Sequence, residues 1–257
     1  MRITVITIAA GRHRHLRRQL DGLAAGSVRP DHHVVVAMGD PAIRRVVAGR
    51  AEVVDVEVGD HLPLATARNT GAAHAIAAGA DLLVFLDVDC VPGVELISRY
   101  RDTAADRTLL CGPVTYLPPG DPPLDRLADL TDPHPGRPAP PDDETVANGD
   151  HTLFWSLSFA VTATTWQRLG GFCEDYTGYG GEDTDFGQIA RAEGVGLTWV
   201  GGAHAYHQHH PVQDPPVDHL DDILVNAALF RRRWGWRPMG GWLDAFADQG
   251  LIDREVS

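Results

Sequence analysis

The chain has 257 residues, 44% hydrophobic and 22% charged, which predicts a soluble globular protein with a substantial core. A net charge of −13 argues against nucleic acid as a partner, because that binding depends on neutralising phosphates. All 22 basic residues are arginine, so Walker-lysine and lysine Schiff-base chemistry are excluded. The three scattered cysteines fit neither a disulfide framework nor a zinc CxxC site, and favour a reducing compartment.

The first third of the chain alternates strand and helix patterns. Apolar, β-branched runs predict four strands, at 3–8, 32–38, 52–58 and 82–86. Helical spacing of apolar residues predicts the segments between them as helices, at 14–26, 42–49 and 64–78. Such alternation is typical of crossover connections in a mainly parallel sheet, where ligands bind beyond the carboxyl ends of the strands. The fold class predicted is α/β.

The remainder of the chain is organised differently. Residues 118–141 hold nine of the 18 prolines and predict a long loop or mobile flap. Beyond it, the pattern predicts strands at 152–163 and 195–201, and helices at 182–194, 217–234 and 241–252. We expect a single domain over 1–257, with a nucleotide-binding half at 1–115, a flap at 116–150 and an acceptor half at 151–257.

The amino terminus, "MRITVITIAAGR", has a short apolar stretch that could pass as a weak signal peptide. We expect it to remain uncleaved because it supplies the first strand. No apolar run approaches the roughly 20 residues that cross a bilayer. We therefore expect a cytoplasmic protein, with peripheral membrane association left open.

Two aspartates follow the fourth strand in "FLDVDC". Side chains at i and i+2 of an extended segment point the same way, so Asp87 and Asp89 can converge on an oxygen-seeking cation such as Mg²⁺ or Mn²⁺. A cation with few protein ligands keeps open positions, which suits a diphosphate. The alternative is a pair of solvated aspartates at a strand exit.

A second acidic group occurs in "GYGGEDTDFG", where Glu182 and Asp183 open a helix after a glycine-rich loop. One of these carboxylates could act as a general base that takes a proton from a hydroxyl. The alternative is that the acids only stabilise the positive end of the helix dipole.

Basic and imidazole side chains provide further candidates. Clustered histidines can bind metal, and "HAYHQHH" supplies His204, His207, His209 and His210. Arg68, early in the third helix, could bind a diphosphate through its planar fork, or lie on the surface. The segment "RRRWGW" either binds an acceptor or packs at a helix end. The glycine fingerprint of dinucleotide binding, the P-loop, the zinc-protease motif and the hydrolase elbow do not occur in the sequence.

Together these elements resemble a family-2-type glycosyltransferase of the GT-A fold. The resemblance spans about residues 1–210 and rests on "AAGR" after the first strand, "ARNTGA", "FLDVDC" and "GGFCEDYTGYGGEDTDFGQIARAEG". The "GYGGEDTDF" part is similar to the motif of galactosyltransferases and chondroitin polymerases. The second strand ends "VVAMGDP" rather than the family's frequent "VVDDGS", which leaves the nucleoside contacts open.

The resemblance implies a nucleotide-sugar donor and a divalent cation, Mn²⁺ rather than Mg²⁺. It implies that Asp89 ligates the cation directly, that Asp87 reaches the ribose or a metal-bound water, and that His207 completes the site, with His209 as runner-up. The donor site implied by the resemblance consists of Ala10, Arg12, Asp40, Arg68, Asp87, Val88 and Asp89.

On the acceptor side, the resemblance implies that Asp183 is the catalytic base and that Glu182 contacts the acceptor or orients the base. The acceptor site predicted around them consists of Trp155, Tyr179, Gly181 and Glu182. The predicted reaction is inverting transfer of a sugar from a nucleoside diphosphate, UDP rather than GDP, with a galactose-type sugar favoured. The alternatives are a sugar-nucleotide nucleotidyltransferase and a non-catalytic binding module.

Overall fold

A computed structural model describes residues 1–211 and 213–253. The first third folds as the sequence predicts, with parallel strands joined by helices. Its strands are β1 (Ile3–Ala9), β2 (His32–Met38), β3 (Glu52–Val56) and β4 (Leu82–Leu86). The helices between them are α1 (His13–Ala25), α2 (Ile43–Val47) and α3 (Leu64–Ala77).

The rest of the chain contains more elements than the sequence analysis predicts. The further strands are β5 (Cys90–Pro92), β6 (Thr108–Cys111), β7 (Val114–Tyr116), β8 (Thr145–Val146), β9 (Ser158–Thr162), β10 (Gly196–Val200) and β11 (Ala205–His207). The further helices are α4 (Leu96–Thr103), α5 (Ala163–Leu169), α6 (Glu182–Ala192), α7 (Leu220–Trp234) and α8 (Gly240–Asp248). Short 3₁₀ helices cover Leu124–Leu130, His151–Leu153 and Val217–His219.

The central sheet confirms the predicted α/β class but is mixed. Its order is β3-β2-β1-β4-β9-β6-β10-β8, and β9 runs antiparallel to both of its neighbours. The prediction of one strand over 152–163 was too long at both ends. Residues His151–Leu153 form a 3₁₀ helix, so the strand begins only at Ser158, and it ends at Thr162, which caps the next helix by accepting a hydrogen bond from Thr165 N. A second sheet, of order β5-β11-β7, carries the segments next to the aspartates and histidines.

The core fills both faces of the central sheet. Strand β4 is buried along its whole length, as its uninterrupted apolar run predicts. One hydrophobic cluster includes Phe85, Phe159, Phe172 and Phe186, and it brings α6 against the middle of the sheet. The amino end of α6, which carries Glu182 and Asp183, is thereby fixed near the carboxyl end of β4.

The proline-rich segment, predicted as a long loop or mobile flap, is anchored by apolar side chains. Leu127 is 3% exposed and packs in a cluster with Val91 and Tyr206, and Leu124 and Leu130 pack against that cluster. Farther along, β8 pairs with β10. Within the described residues, none of the helices is both long and apolar enough to cross a membrane.

Two buried histidines predict a specific acid sensitivity of the fold. Burial lowers the pKa of His33 to about 3 and that of His204 to about 4, from an ordinary value of 6.5. Below pH 6.5 these histidines bind protons in the unfolded chain but stay neutral in the folded chain. The free energy of unfolding therefore decreases as the pH is lowered. Each histidine can contribute up to about 1.4 kcal/mol per pH unit until the pH reaches its folded-state pKa.

Urea unfolding between pH 6.5 and pH 5 checks this prediction. The variant His33→Gln should have a shallower slope of unfolding free energy against pH than the wild-type protein. The exposed His209 serves as a control, and His209→Gln should keep the wild-type slope. Equal slopes in all three proteins would show that His33 does not contribute to the acid sensitivity of the fold.

Candidate active site

Asp89 lies at the centre of a group of cationic and imidazole side chains. Its carboxylate is 3.1 Å from Nη1 of Arg12, 3.6 Å from Nε2 of His207 and 3.5 Å from Nε2 of His210. Burial raises the pKa of Asp89, but His210, His207 and Arg12 together hold it at about 2. Asp89 is therefore ionised at all physiological pH values.

A divalent cation can be held by Asp89, His207 and His210, whose ligand atoms all lie within 4.8 Å of one another. One carboxylate and two imidazoles form a mixed oxygen and nitrogen donor set of the kind that binds divalent transition metals. Within the described residues this set contains His210, whereas the exposed His209 stands outside it. The clustered histidines of "HAYHQHH" were the signal in the sequence, but nothing there separates His210 from the others, because His204 and His207 have the same spacing of three residues.

Asp87 lies next to this group but has a different partner. Its Oδ1 accepts a hydrogen bond of 3.1 Å from Nη2 of Arg68, and Nη1 of Arg68 donates to Oε1 of Glu182 at 3.2 Å. The Arg68 side chain is only 5% exposed. Although burial lowers the pKa of Arg68, Asp87 and Glu182 raise it overall. Arg68 thus connects the first aspartate of "DVD" with the acidic pair of α6.

The acidic pair lies in the first turn of α6, where the helix dipole favours negative charge. Burial and the adjacent Asp183 carboxylate raise the pKa of Glu182 to about 7, against the effect of Arg68. Burial likewise raises the pKa of Asp183, although its Oδ1 accepts a 2.6 Å hydrogen bond from Thr184 N. Glu182 is buried and paired with Arg68, whereas Asp183 is partly exposed.

The glycine-rich loop before α6 is held by α7, which the sequence analysis did not connect with the site. Asp222 accepts a hydrogen bond from Tyr179 N at 3.1 Å, and Asn226 donates to the carbonyl of Thr177 at 2.9 Å. Gly178 has φ +68°, and a Cβ there would lie 2.1 Å from Oδ2 of Asp222. The loop therefore needs glycine at this position on both conformational and steric grounds.

Polar groups also border the carboxyl ends of β1 and β2. Asp40 accepts hydrogen bonds from His13 Nε2 at 2.6 Å and from Gly11 N at 2.9 Å, and the His13 bond lowers its pKa. Arg12 follows Ala10 by two residues and has left-handed backbone dihedrals, with φ 45°. Val88 is 7% exposed, and its side chain packs in a hydrophobic cluster with apolar residues of α1 and β2. It therefore faces away from the cationic and imidazole side chains around Asp89.

Aromatic rings lie around the acidic groups. Tyr116 stacks on His207 at 4.5 Å between ring centroids, and Tyr179, 38% exposed, stacks on His219. The guanidinium carbon of Arg137 lies 5.1 Å from the centroid of the Trp155 ring. Trp155 is thus packed on one side, and it is also partly exposed. Gly181 is the N-cap of α6, directly before the acids.

The segment "RRRWGW" has a structural role that sequence reasoning left open. Asp185 is fully buried in α6 and accepts hydrogen bonds from Nε of Arg233 at 2.7 Å and Nε1 of Trp234 at 2.6 Å. A third bond, from the hydroxyl of Tyr176, measures 3.1 Å. These bonds fix the end of α7 against α6.

Replacing Asp185 with asparagine should therefore destabilise the protein by about 1–3 kcal/mol, since it removes the buried carboxylate that accepts the charged hydrogen bond of Arg233. Urea unfolding measures the difference. Asp244→Asn is the matched control, because Asp244 pairs with Arg237 at the surface and should cost less than about 1 kcal/mol. Equal losses in the two variants would contradict the structural role of Asp185.

Sequence comparison links the acidic half of the site to known transferases. Residues 148–211 match the family model described as the N-terminal domain of galactosyltransferase. A validoxylamine A glucosyltransferase of Streptomyces hygroscopicus subsp. jinggangensis is 44% identical over 45 residues, 18% of this chain and 11% of that protein. Chondroitin synthase of Escherichia coli is 33% identical over 81 residues, 31% of this chain and 12% of that protein.

Solved structures match over most of the chain. S. aureus TarS 1-349 in complex with UDP-GlcNAc has a TM-score of 0.59 at 13% identity, over 89% of this chain and 66% of that one. GalNAc-T7 with UDP, GalNAc and Mn²⁺ gives 0.54 at 13% identity, over 81% and 44%. Drosophila β1,4galactosyltransferase 7 with xylobiose gives 0.53 at 16% identity, over 81% and 71%. The chain therefore has the fold of the GT-A glycosyltransferases, and in the region of its acidic motif it is related in sequence to enzymes of that class.

Proposed function

We propose that this chain is a metal-dependent, inverting glycosyltransferase that moves a sugar from a nucleoside-diphosphate donor to an acceptor hydroxyl. The observation that carries the proposal is the pairing of two acidic groups across one buried arginine. Arg68 connects Asp87, at the exit of β4, with Glu182, beside Asp183 at the start of α6. In this proposal Asp87 belongs to the donor group and the acids of α6 belong to the acceptor group, so the arginine would join the two halves of one site.

The donor half combines the candidate cation ligands with groups at the carboxyl ends of β1 and β2. Asp89, His207 and His210 would hold the cation, with Mn²⁺ favoured over Mg²⁺, and Asp87 lies beside them. When bound, such a cation neutralises negative charge on a departing diphosphate. The residues proposed to contact the donor are Ala10, Arg12, Asp40, Arg68 and the backbone at Val88. UDP is favoured over GDP, since UDP is named in the complexes of TarS and GalNAc-T7.

The acceptor half performs the proton transfer. As the acceptor oxygen bonds to the anomeric carbon, the bond from that carbon to the diphosphate oxygen breaks, and the hydroxyl proton passes to Asp183. Attack opposite to the leaving group inverts the anomeric configuration. Asp183 is the partly exposed member of the acidic pair, and its raised pKa brings the base closer to neutral pH. Glu182, held by Arg68, would contact the acceptor or orient Asp183.

The surroundings of the acids complete the proposal. Tyr179 and Trp155 would offer ring faces to a sugar acceptor, and Gly181 would border the acceptor site as the N-cap of α6, directly before the acids. Residues 116–150 would cover the reacting groups and exclude the water that would otherwise hydrolyse the donor. Because Leu124, Leu127 and Leu130 are anchored in a hydrophobic cluster, only the exposed turns of that segment would move to close over the site.

A thermal-shift panel of nucleotide sugars, each with and without Mn²⁺, tests this function. We expect a rise in melting temperature that requires both Mn²⁺ and a UDP-sugar, followed by release of UDP when an acceptor is added. Release of pyrophosphate from a nucleoside triphosphate would instead indicate a nucleotidyltransferase. Binding without any turnover or donor hydrolysis would indicate a non-catalytic sugar-nucleotide-binding module.

A further inference from the structure

A buried glutamine contacts the turn that carries both aspartates of "DVD". Gln19 lies in α1, and its side chain is completely buried. Its Nε2 donates hydrogen bonds to the carbonyl of Asp87 at 2.7 Å and to that of Cys90 at 3.1 Å. A carboxamide at an inward helix position costs free energy unless all its polar atoms are bonded, so this placement calls for a reason.

The turn itself runs from Asp87 to Cys90. Cys90 N donates back to the carbonyl of Asp87 at 2.8 Å, and Asp87 N donates to the carbonyl of Leu157 at 2.9 Å. Val88 packs into the same hydrophobic cluster as Leu16 of α1. Gln19 therefore joins the first and last carbonyls of the turn, while the side chains of Asp87 and Asp89 point to Arg68 and the histidines.

The other side of the carboxamide is fixed as firmly. Oε1 of Gln19 only accepts, so the Oγ1 hydroxyl of Thr7, 2.9 Å away, donates to it. That hydroxyl has a single hydrogen, so the 3.0 Å contact with Nε2 of His33 requires the imidazole to donate. The hydrogen bonds run in one direction, from His33 through Thr7 and Gln19 to the turn.

We propose that Gln19 is a positioning residue for the cation and diphosphate end of the site, with Thr7 and His33 holding its carboxamide in the required orientation. The inference rests on the proposed function, because its consequence is the placement of Asp89 relative to His207 and His210. Residues that orient metal ligands from outside typically change metal affinity by about 10–100-fold when replaced.

Gln19→Met tests the proposal, since methionine keeps the length of the side chain and removes both donors. In an electron paramagnetic resonance titration with Mn²⁺ and UDP, we expect the dissociation constant for Mn²⁺ to rise by about 10–100-fold. In transfer assays, the Mn²⁺ requirement should rise while the KM for the acceptor stays unchanged. Leu169→Ala is the control, because it removes core packing in a different hydrophobic cluster and should leave Mn²⁺ affinity unchanged.

A second pair of variants addresses the orientation of the carboxamide. Thr7→Val removes the hydroxyl and should weaken Mn²⁺ binding, whereas Thr7→Ser retains the hydroxyl and should restore it. Hydrogen exchange of Cys90 N–H provides a readout without metal, and it should be faster in Gln19→Met and Thr7→Val than in Leu169→Ala. Unchanged Mn²⁺ affinity and Cys90 exchange in both variants would overturn the proposal. If the wild-type protein binds no Mn²⁺, the proposed function fails, and Cys90 exchange still decides the role of Gln19.

Discussion

Asp183→Asn should bind the donor as the wild-type protein does but transfer sugar about 10²–10⁴-fold more slowly, the usual range for loss of a general base. Asparagine keeps the shape of the side chain and its hydrogen bond from Thr184 N, so the fold should persist. Single-turnover transfer at saturating donor measures the chemical step. A separate UDP titration with Mn²⁺ measures binding.

Two comparisons make the test of Asp183 specific. Asp175→Asn changes an exposed acid in the same loop and should keep the wild-type rate. Glu182→Gln should reduce transfer less than Asp183→Asn does, because Glu182 is buried and paired with Arg68. If Asp183→Asn transfers sugar at the wild-type rate, Asp183 is not the base, and a greater loss in Glu182→Gln would transfer that role to Glu182.

The pH dependence should report the same acidic pair. A base must be ionised to act, so the rate falls as pH falls through the raised pKa values of Glu182 and Asp183. Because the two carboxylates interact, the acid limb belongs to the pair and lies above the ordinary aspartate value. An acid limb at the ordinary value would indicate a base outside this environment.

Much of the parallel half of the fold could be predicted from sequence, because its signals are local. Strand β4 is an apolar run, and α1 places Leu16, Leu20 and Leu23 at helical spacing. The short strands β5, β7 and β11 could not be predicted in this way. Each of these strands has only three residues, which is too few to show an alternating pattern. They form because segments far apart in the chain pair with one another.

The same distinction applies to the candidate site. The acids stand out in "DVDC" and "GGEDTDF" because charged residues next to strands and glycines are locally unusual. Gln19, Asp222 and Asn226 look ordinary in sequence, since an amide or acid on a helix is normally solvated. Their contacts with the two loops depend on how α1 and α7 pack, which no local pattern encodes.

His210→Ala should weaken Mn²⁺ binding by at least about 100-fold, because replacing residues outside a metal's ligand set already costs about 10–100-fold. Nε2 of His210 lies 3.5 Å from Oδ2 of Asp89, within the group of potential ligand atoms. Donor binding that depends on Mn²⁺ should be lost in parallel. Electron paramagnetic resonance of free Mn²⁺, titrated with protein and UDP, measures the change directly.

The neighbouring histidine gives the matched control, since His209 is exposed and lies outside that group. His209→Ala should bind Mn²⁺ as the wild-type protein does, while His207→Ala should resemble His210→Ala. Loss of affinity in His209→Ala but not in His210→Ala would reverse the assignment and favour the runner-up ligand of the sequence analysis. Loss in His207→Ala alone would leave Asp87 as the remaining candidate for the third ligand, which would require its carboxylate to leave Arg68 when the cation binds.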